Sequence, residues 1–111
     1  MMIAEVRDRG VDVLAPTGRL DTTTVATLEA RLGPLLASPQ PRIVIDFTGV
    51  DYISSAGLRI LLVAARRVQG GGALALCGMG DAVRQVFQLA GFVPLFTIKE
   101  TREAAVSQLA P

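Results

Sequence analysis

Two hydroxyls stand side by side in Asp51-Tyr52-Ile53-Ser54-Ser55-Ala56-Gly57-Leu58, immediately before a run whose apolar residues recur at helical spacing. As a helix cap, Ser54 would accept a hydrogen bond from an unpaired backbone N–H of the first turn, with Ser55 occupying that turn. On local chemistry alone this is the commoner use of such a pair. As a modification site, either hydroxyl could carry a phosphate, because free N–H groups and the positive end of the helix dipole favour a negative group there. A serine nucleophile would need a neighbouring base. The chain has no His, and the segment lacks the first glycine of a nucleophile elbow, so that chemistry falls away.

Carboxylates are the next reactive groups. Asp21, Asp46 and Asp51 each follow or border a strand-like segment, and could gather at one sheet end to hold a cation or orient a hydroxyl. Asp21 and Asp51 equally suit capping and turn roles. Asp46 ends an otherwise apolar strand, where a carboxylate without partners would be costly. Together with Lys99 it partly matches a phosphoaspartate receiver, but the acidic pair that would bind magnesium after the first strand is missing. Gly78-Met79-Gly80 is too short for a phosphate loop, with no glycine-lysine-serine or -threonine after it. Cys77, the one cysteine, lies inside an apolar strand and reads as an inert packed thiol.

Composition sets the frame for these groups. The chain has 111 residues, of which 50% are apolar and 19% charged, which fits one globular domain over residues 1–111. The formal charge of +1 provides no footprint for nucleic acid or an anionic membrane. Without His and with one Cys, zinc shells, Cys-His and Ser-His-Asp units and an intrachain disulfide are excluded. The charged start resembles no signal or transit peptide, and no apolar run reaches the ~20 residues of a membrane span. A cytoplasmic location with no direct membrane insertion is expected. Arg makes up ten of the eleven cations, Lys99 being the other, but they are scattered along the chain.

The elements that must position the serines follow from periodicity. Met2 to Asp8 and Val11 to Ala15, split by Arg9-Gly10, predict an opening hairpin. Val25, Leu28, Leu32, Leu35 and Leu36 line one face of a helix over Thr22 to Ala37, capped by Asp21 or Thr22, with a kink or early end at Gly33-Pro34. Arg42 to Phe47, with its continuously apolar Ile43-Val44-Ile45, and Ala73 to Cys77 predict buried strands. A helix over Ser55 to Gln69 spreads its apolar residues across roughly 200°, wider than a surface helix needs. One edge of it, with Ile60, Val63 and Ala64, is a candidate docking face; an adjacent helix is the competing explanation. A third helix is capped by Asp81, carries Val83, Val86, Phe87 and Ala90 on one face, and ends at Gly91. Leu95 to Ile98 and Thr101 to Leu109 complete the series as strand and helix. The order β-β-α-β-α-β-α-β-α requires parallel pairing, with helices on at least one face of a mixed sheet.

The segment from Asp46 to Leu58 resembles the signature of the STAS domain, in particular of bacterial anti-sigma factor antagonists. Gly18-Arg19-Leu20-Asp21 is similar to that family's first motif, and Val86 to Phe92 extends the likeness. The resemblance implies an α/β fold with a mixed sheet of four or five strands and about four helices mainly on one face. It implies a binding module with no enzymatic activity and no cofactor. Its unphosphorylated form would bind an ATP-dependent anti-sigma serine kinase, which would phosphorylate it to end the interaction. A metal-dependent serine/threonine phosphatase would reverse the step. The family's acceptor maps onto Ser55. Its preceding neighbour is commonly aspartate there and is Ser54 here, which makes Ser54 a second candidate. Asp21, Thr22, Asp46, Ser54, Ala56, Gly57, Ile60, Val63 and Ala64 are the expected partner-binding residues. The rival expectation is an accessory STAS subunit regulating a membrane lipid or anion transport system.

Overall fold

Arg9 and Gly10 turn the chain with φ of 52° and 79°, the left-handed pair that a two-residue hairpin turn requires. They join β1 (Met2–Asp8) to β2 (Val11–Leu20), paired antiparallel from Asp8 opposite Val11 to Met2 opposite Thr17. The second strand thus runs five residues past the predicted Ala15, through Gly18-Arg19-Leu20, and this extension carries the first motif toward the serines. The computed structural model describes all 111 residues.

Beyond the hairpin the order is α1 (Val25–Leu36), β3 (Arg42–Asp46), β4 (Val50–Ile53), α2 (Ser55–Val68), β5 (Ala73–Cys77), α3 (Asp81–Leu89), β6 (Thr97–Lys99) and α4 (Arg102–Leu109), with a 3-10 turn at Val93–Leu95. One six-stranded sheet results, in the order β1-β2-β3-β5-β6, with β4 also on β2. The β2–β3, β2–β4, β3–β5 and β5–β6 pairs are all parallel, as the crossover argument requires. The sixth strand is the short β4. It continues the β3 side of β2, pairing with its far end at Gly18, Arg19 and Leu20.

Ile43-Val44-Ile45 of β3 and the whole of β5 are apolar because both their faces are covered. Leu14, Ile43, Ile45, Leu74 and Leu76 face α1, α2 and α3 through Leu28, Leu32, Leu58, Leu61, Val83 and Phe87. Val11, Val13, Val44, Ala75 and Cys77 face α4 through Ala105, Val106 and Leu109. Three helices therefore cover one face and one covers the other. Phe87 meets Phe47 edge to face at 6.2 Å between ring centres. Each fully buried aliphatic or aromatic side chain of this kind contributes about 1.5–3 kcal/mol. No helix is long and apolar enough to cross a membrane.

Three helix ends differ from expectation. The first helix starts at Val25, not Thr22, because Asp21 and the threonines fold into a turn in which the Asp21 carbonyl accepts from the N–H groups of Thr24 and Val25. Neither Asp21 nor Thr22 is the N-cap residue; Thr24 holds that position. Pro34 does not stop the helix at once: it sits in the last turn, which closes at Leu36. Asp81 is the first residue of α3 and not its cap; Gly80 precedes it, and Asp81 contributes its charge to the positive helix end.

Candidate functional site

The serine pair is set by the parallel pairing of β2 and β4. Arg19 lies opposite Tyr52 and Leu20 opposite Ile53. The Ser54 N–H then donates to the Leu20 carbonyl at 2.9 Å, tying the loop after β4 to the loop after β2. Asp21 and Ser54 thus leave the carboxyl ends of neighbouring strands, where open α/β sheets place their binding surfaces.

At this junction the two hydroxyls separate. Ser54 has extended backbone (φ −96°, ψ 174°) and caps α2, its Oγ accepting from the Gly57 N–H at 3.4 Å. It is half-buried, whereas Ser55 is the first residue of the helix, exposed, with its Oγ in no hydrogen bond. No acidic residue lies in the first turn of α2, so the helix end keeps its partial positive charge beside Ser55. The capping role expected for Ser54 is therefore present, and Ser55 is left available. Gly57 is buried because α2 approaches the sheet closely: a Cβ there would meet Ile53 Cγ1 and Leu20 Cγ at 2.9 Å and the Leu20 carbonyl at 3.1 Å.

Asp21 is bound within its own loop. Its Oδ1 accepts from the Thr23 N–H at 3.0 Å and the Thr23 hydroxyl at 2.7 Å, and its Oδ2 lies 3.5 Å from Arg19 Nε. The Thr23 hydroxyl and N–H, outweighing a small desolvation cost and helped by Thr24 and Arg19, hold the Asp21 carboxyl below the usual carboxylate range. Arg19 also stacks 4.0 Å over the Tyr52 ring. Thr22 is exposed beside it.

Asp46 sits apart from the serines, on the α4 side of the sheet. Its Oδ1 accepts from the Thr48 N–H at 2.9 Å and the Thr48 hydroxyl at 2.6 Å, and its Oδ2 from Arg102 Nε at 2.9 Å. Burial alone would raise its pKa, but the bonds from Thr48 and Arg102 outweigh it and leave the carboxyl below its ordinary value. Asp46 thereby fixes the turn that leads into β4 and fastens the start of α4 to it. Asp51 is exposed, so the three aspartates do not converge, and no group of three His, Cys, Asp or Glu residues could hold a metal ion. Sequence reasoning missed Arg102; the one available signal was the need of a buried Asp46 for a cation.

Along α2, Leu58, Leu61, Ala64 and Val68 are buried and Val63 is 47% exposed. The neighbour that explains much of the broad apolar arc is α1. Between them runs a shallow groove of about 60 Å³, with Leu32 and Leu36 opposite Ile60 and Val63, and Glu29 and Arg67 at its ends. Ala64 is its floor, 1% exposed, so it shapes the groove and presents no side chain outward. Gly57 is likewise inside. Of the α2 docking candidates, Val63 and the partly buried Ile60 and Ala56 remain accessible. A larger cavity of about 310 Å³ lies at the far end of α2, against Val68, Leu74, Phe96 and Leu109, and touches none of the docking candidates.

A parallel-centred sheet with three helices on one face and one on the other, and a hydroxyl pair where β4 enters α2, defines an α/β domain with the serine loop at the carboxyl ends of its strands. Residues 2–105 match the STAS domain model, and the chain belongs to that family. It is 36% identical over 99 residues to BtrV of Bordetella bronchiseptica, which carries the name of an anti-sigma factor antagonist; the match covers 88% of this chain and 85% of that protein. It is 29% identical over 98 residues to the Mycobacterium tuberculosis anti-sigma-F factor antagonist RsfB, covering 88% and 80%. In structure it resembles an anti-sigma factor antagonist of Thermotoga maritima, with a TM-score of 0.90 at 18% identity over 98% and 95% of the two chains. The Bacillus cell fate determinant SpoIIAA in its phosphorylated form superposes with a TM-score of 0.70 at 21% identity over 96% and 98%. A sulfate transporter family protein of Wolinella succinogenes shares the fold at 0.75, with 18% identity over 94% and 88%.

Proposed function

We propose that residues 1–111 act as one STAS unit that antagonises an anti-sigma factor, and that Ser55 is its phosphoryl acceptor. The observation that carries this reading is the exposed, unbonded Ser55 hydroxyl at the positive start of α2, in a chain whose relatives are named antagonists. The unphosphorylated module binds a serine kinase that restrains a sigma factor. The kinase supplies the catalysis, transferring the γ-phosphoryl of ATP to Ser55 Oγ, and a metal-dependent serine/threonine phosphatase removes it. This chain is substrate and binding surface, working in the cytoplasm, and it needs no cofactor of its own.

Ser55, Ala56, Val63 and Ile60 form the contact, with Thr22 and Asp21 on the neighbouring loop. A phosphate there adds about −1.5 to −2 charge to a surface that must be desolvated on binding. A penalty of ~3 kcal/mol confined to the complex weakens affinity more than a hundredfold, with no refolding. The test is incubation with a cognate anti-sigma kinase and ATP, followed by phosphopeptide mapping. Label on Ser55 is expected; label confined to Ser54 would move the acceptor there, and label confined to any other site refutes the assignment to this serine pair. The transporter-subunit reading has the Wolinella likeness behind it, which is of fold alone. Co-purification with a membrane transport protein in place of a kinase would favour it.

A further inference from the structure

The outer edge of β1 has no strand beside it. In a two-residue hairpin the closing pair, here Asp8 and Val11, exchanges both main-chain bonds, and the pattern then alternates. Met2, Ala4, Val6 and Asp8 therefore bond inward to β2, while Ile3, Glu5 and Arg7 turn their N–H and C=O groups outward. The Ile3 carbonyl confirms the phase: it accepts from Arg31 Nη1, reaching across from α1, at 3.3 Å. Arg31 thus occupies the edge at Ile3 and holds the Glu5 carboxylate through Nε and Nη2 at 3.2 and 2.7 Å, leaving open the main-chain groups of Glu5 and Arg7.

Charged residues on an edge strand usually prevent pairing, but here the signs alternate. A second copy paired antiparallel across a two-fold axis must match residues of the same face. Centred on Glu5, the pairing sets Glu5 against Glu5 and needs the Ile3 carbonyl that Arg31 holds. Centred on Arg7, it sets Arg7 against Arg7. Centred on Val6, it sets Glu5 of each copy against Arg7 of the other, leaves Arg31 in place, and lets each Glu5–Arg7 pair exchange both main-chain bonds. Val6, 48% exposed on the other face, then meets Val6 of the second copy, with Ala4 of each copy opposite Asp8 of the other.

We propose that this edge is a homodimer interface, with β1 pairing with β1 of a second copy about Val6 to make one continuous sheet. Val6 lies opposite Val13, about 23 Å along β2 from Leu20 at ~3.3 Å per residue, so both Ser55 loops stay open in the dimer.

Sedimentation equilibrium from low to high micromolar protein tests it. The wild type should reach twice the monomer mass at the upper end. Glu5→Arg sets two guanidinium groups against each other at every cross-copy pair, and Arg7→Glu sets two carboxylates against each other, so each variant alone should be monomeric. An equimolar mixture of the two restores opposite charges at every pair and should dimerise again. Because Glu5 also pairs with Arg31 and Arg7 with Asp12, folding of each variant is checked by circular dichroism. Arg7→Pro, which removes an outward N–H and the ion pair with Asp12 but no main-chain bond to β2, serves as a second disrupting variant, its folding checked in the same way. A wild type monomeric throughout, or dimers that survive Arg7→Pro, would overturn the proposal.

Discussion

With Ser55 as the proposed acceptor, the adjacent serines would divide two tasks between them. A capping hydroxyl is committed to a backbone N–H, as Ser54 is to Gly57, while an acceptor must be free to enter another protein's active site. Ser54→Ala should therefore lower stability by about 1 kcal/mol and leave kinase labelling intact. Ser55→Ala should leave stability within about 0.5 kcal/mol and abolish labelling. Chemical denaturation and phosphopeptide mapping of the two variants check both halves, and equal labelling of Ser55→Ala and wild type would move the acceptor to Ser54. The sequence shows both serines at a helix start, and the cap follows from spacing. Which hydroxyl stays free does not, because it depends on Ser54 being drawn to Leu20, a contact across 34 residues. The same distance problem hides Arg102, which lies 56 residues from the aspartate it holds.

At the scale of elements, α2 is positioned by what its first turn lacks. Gly57 lets the helix backbone rest on Leu20 and Ile53, and a methyl there must displace their side-chain carbons, 2.9 Å away, and crowds the Leu20 carbonyl of the β2–β4 junction at 3.1 Å. Gly57→Ala gains up to ~1 kcal/mol in helix propensity but overpacks a filled contact at about 1–3 kcal/mol. A net loss of about 1–2 kcal/mol in thermal or urea unfolding is expected, and a gain would show that the junction yields freely. The opposite case is Val63, which stabilises little because it is half in water. Val63→Asp should change stability by less than about 0.5 kcal/mol while weakening kinase binding at least tenfold, read by calorimetric titration; undiminished binding would remove the groove from the interface. Elements with strong periodicity, such as α2 and β5, are legible in the sequence almost to the residue. The fourth strand is not: its two ends are buried and its middle is exposed, a pattern too short and too mixed to separate from the turn before α2. The start of α1 shifts for a related reason, since the Asp21 and Thr24 side chains bond the loop backbone and compete with the helix.

At the scale of the whole molecule, the two faces of the sheet are coupled through Asp46. It ends β3 in the middle of the sheet, and its bonds join the turn toward β4, which leads to the serines, with the first residue of α4 on the far face. Beside it Cys77, buried and facing the Asp46 charge, is pushed up to about 12, so alkylation of this thiol should report global opening and not surface reactivity. The consequence for acid stability follows from sign. Asp46 titrates lower in the native state than its ordinary 3.8, so between the two values the unfolded chain binds more protons than the native one. Its contribution is complete above about pH 3.8 and is lost as pH falls through the lower native value; Asp21 acts in the same direction. Asp46→Asn keeps the shape but loses the charge that Arg102 and Thr48 address. It should cost about 1–2 kcal/mol at neutral pH, toward the low end for bonds to a charged acceptor because Arg102 remains half in water. As the wild-type carboxylate itself becomes protonated, that difference should shrink. Urea midpoints of the two proteins, measured from about pH 7 down to about pH 2.5, should converge in acid. A gap of constant size would show that the loss comes from the amide's NH2, which cannot accept from Thr48 or Arg102, and not from the missing charge.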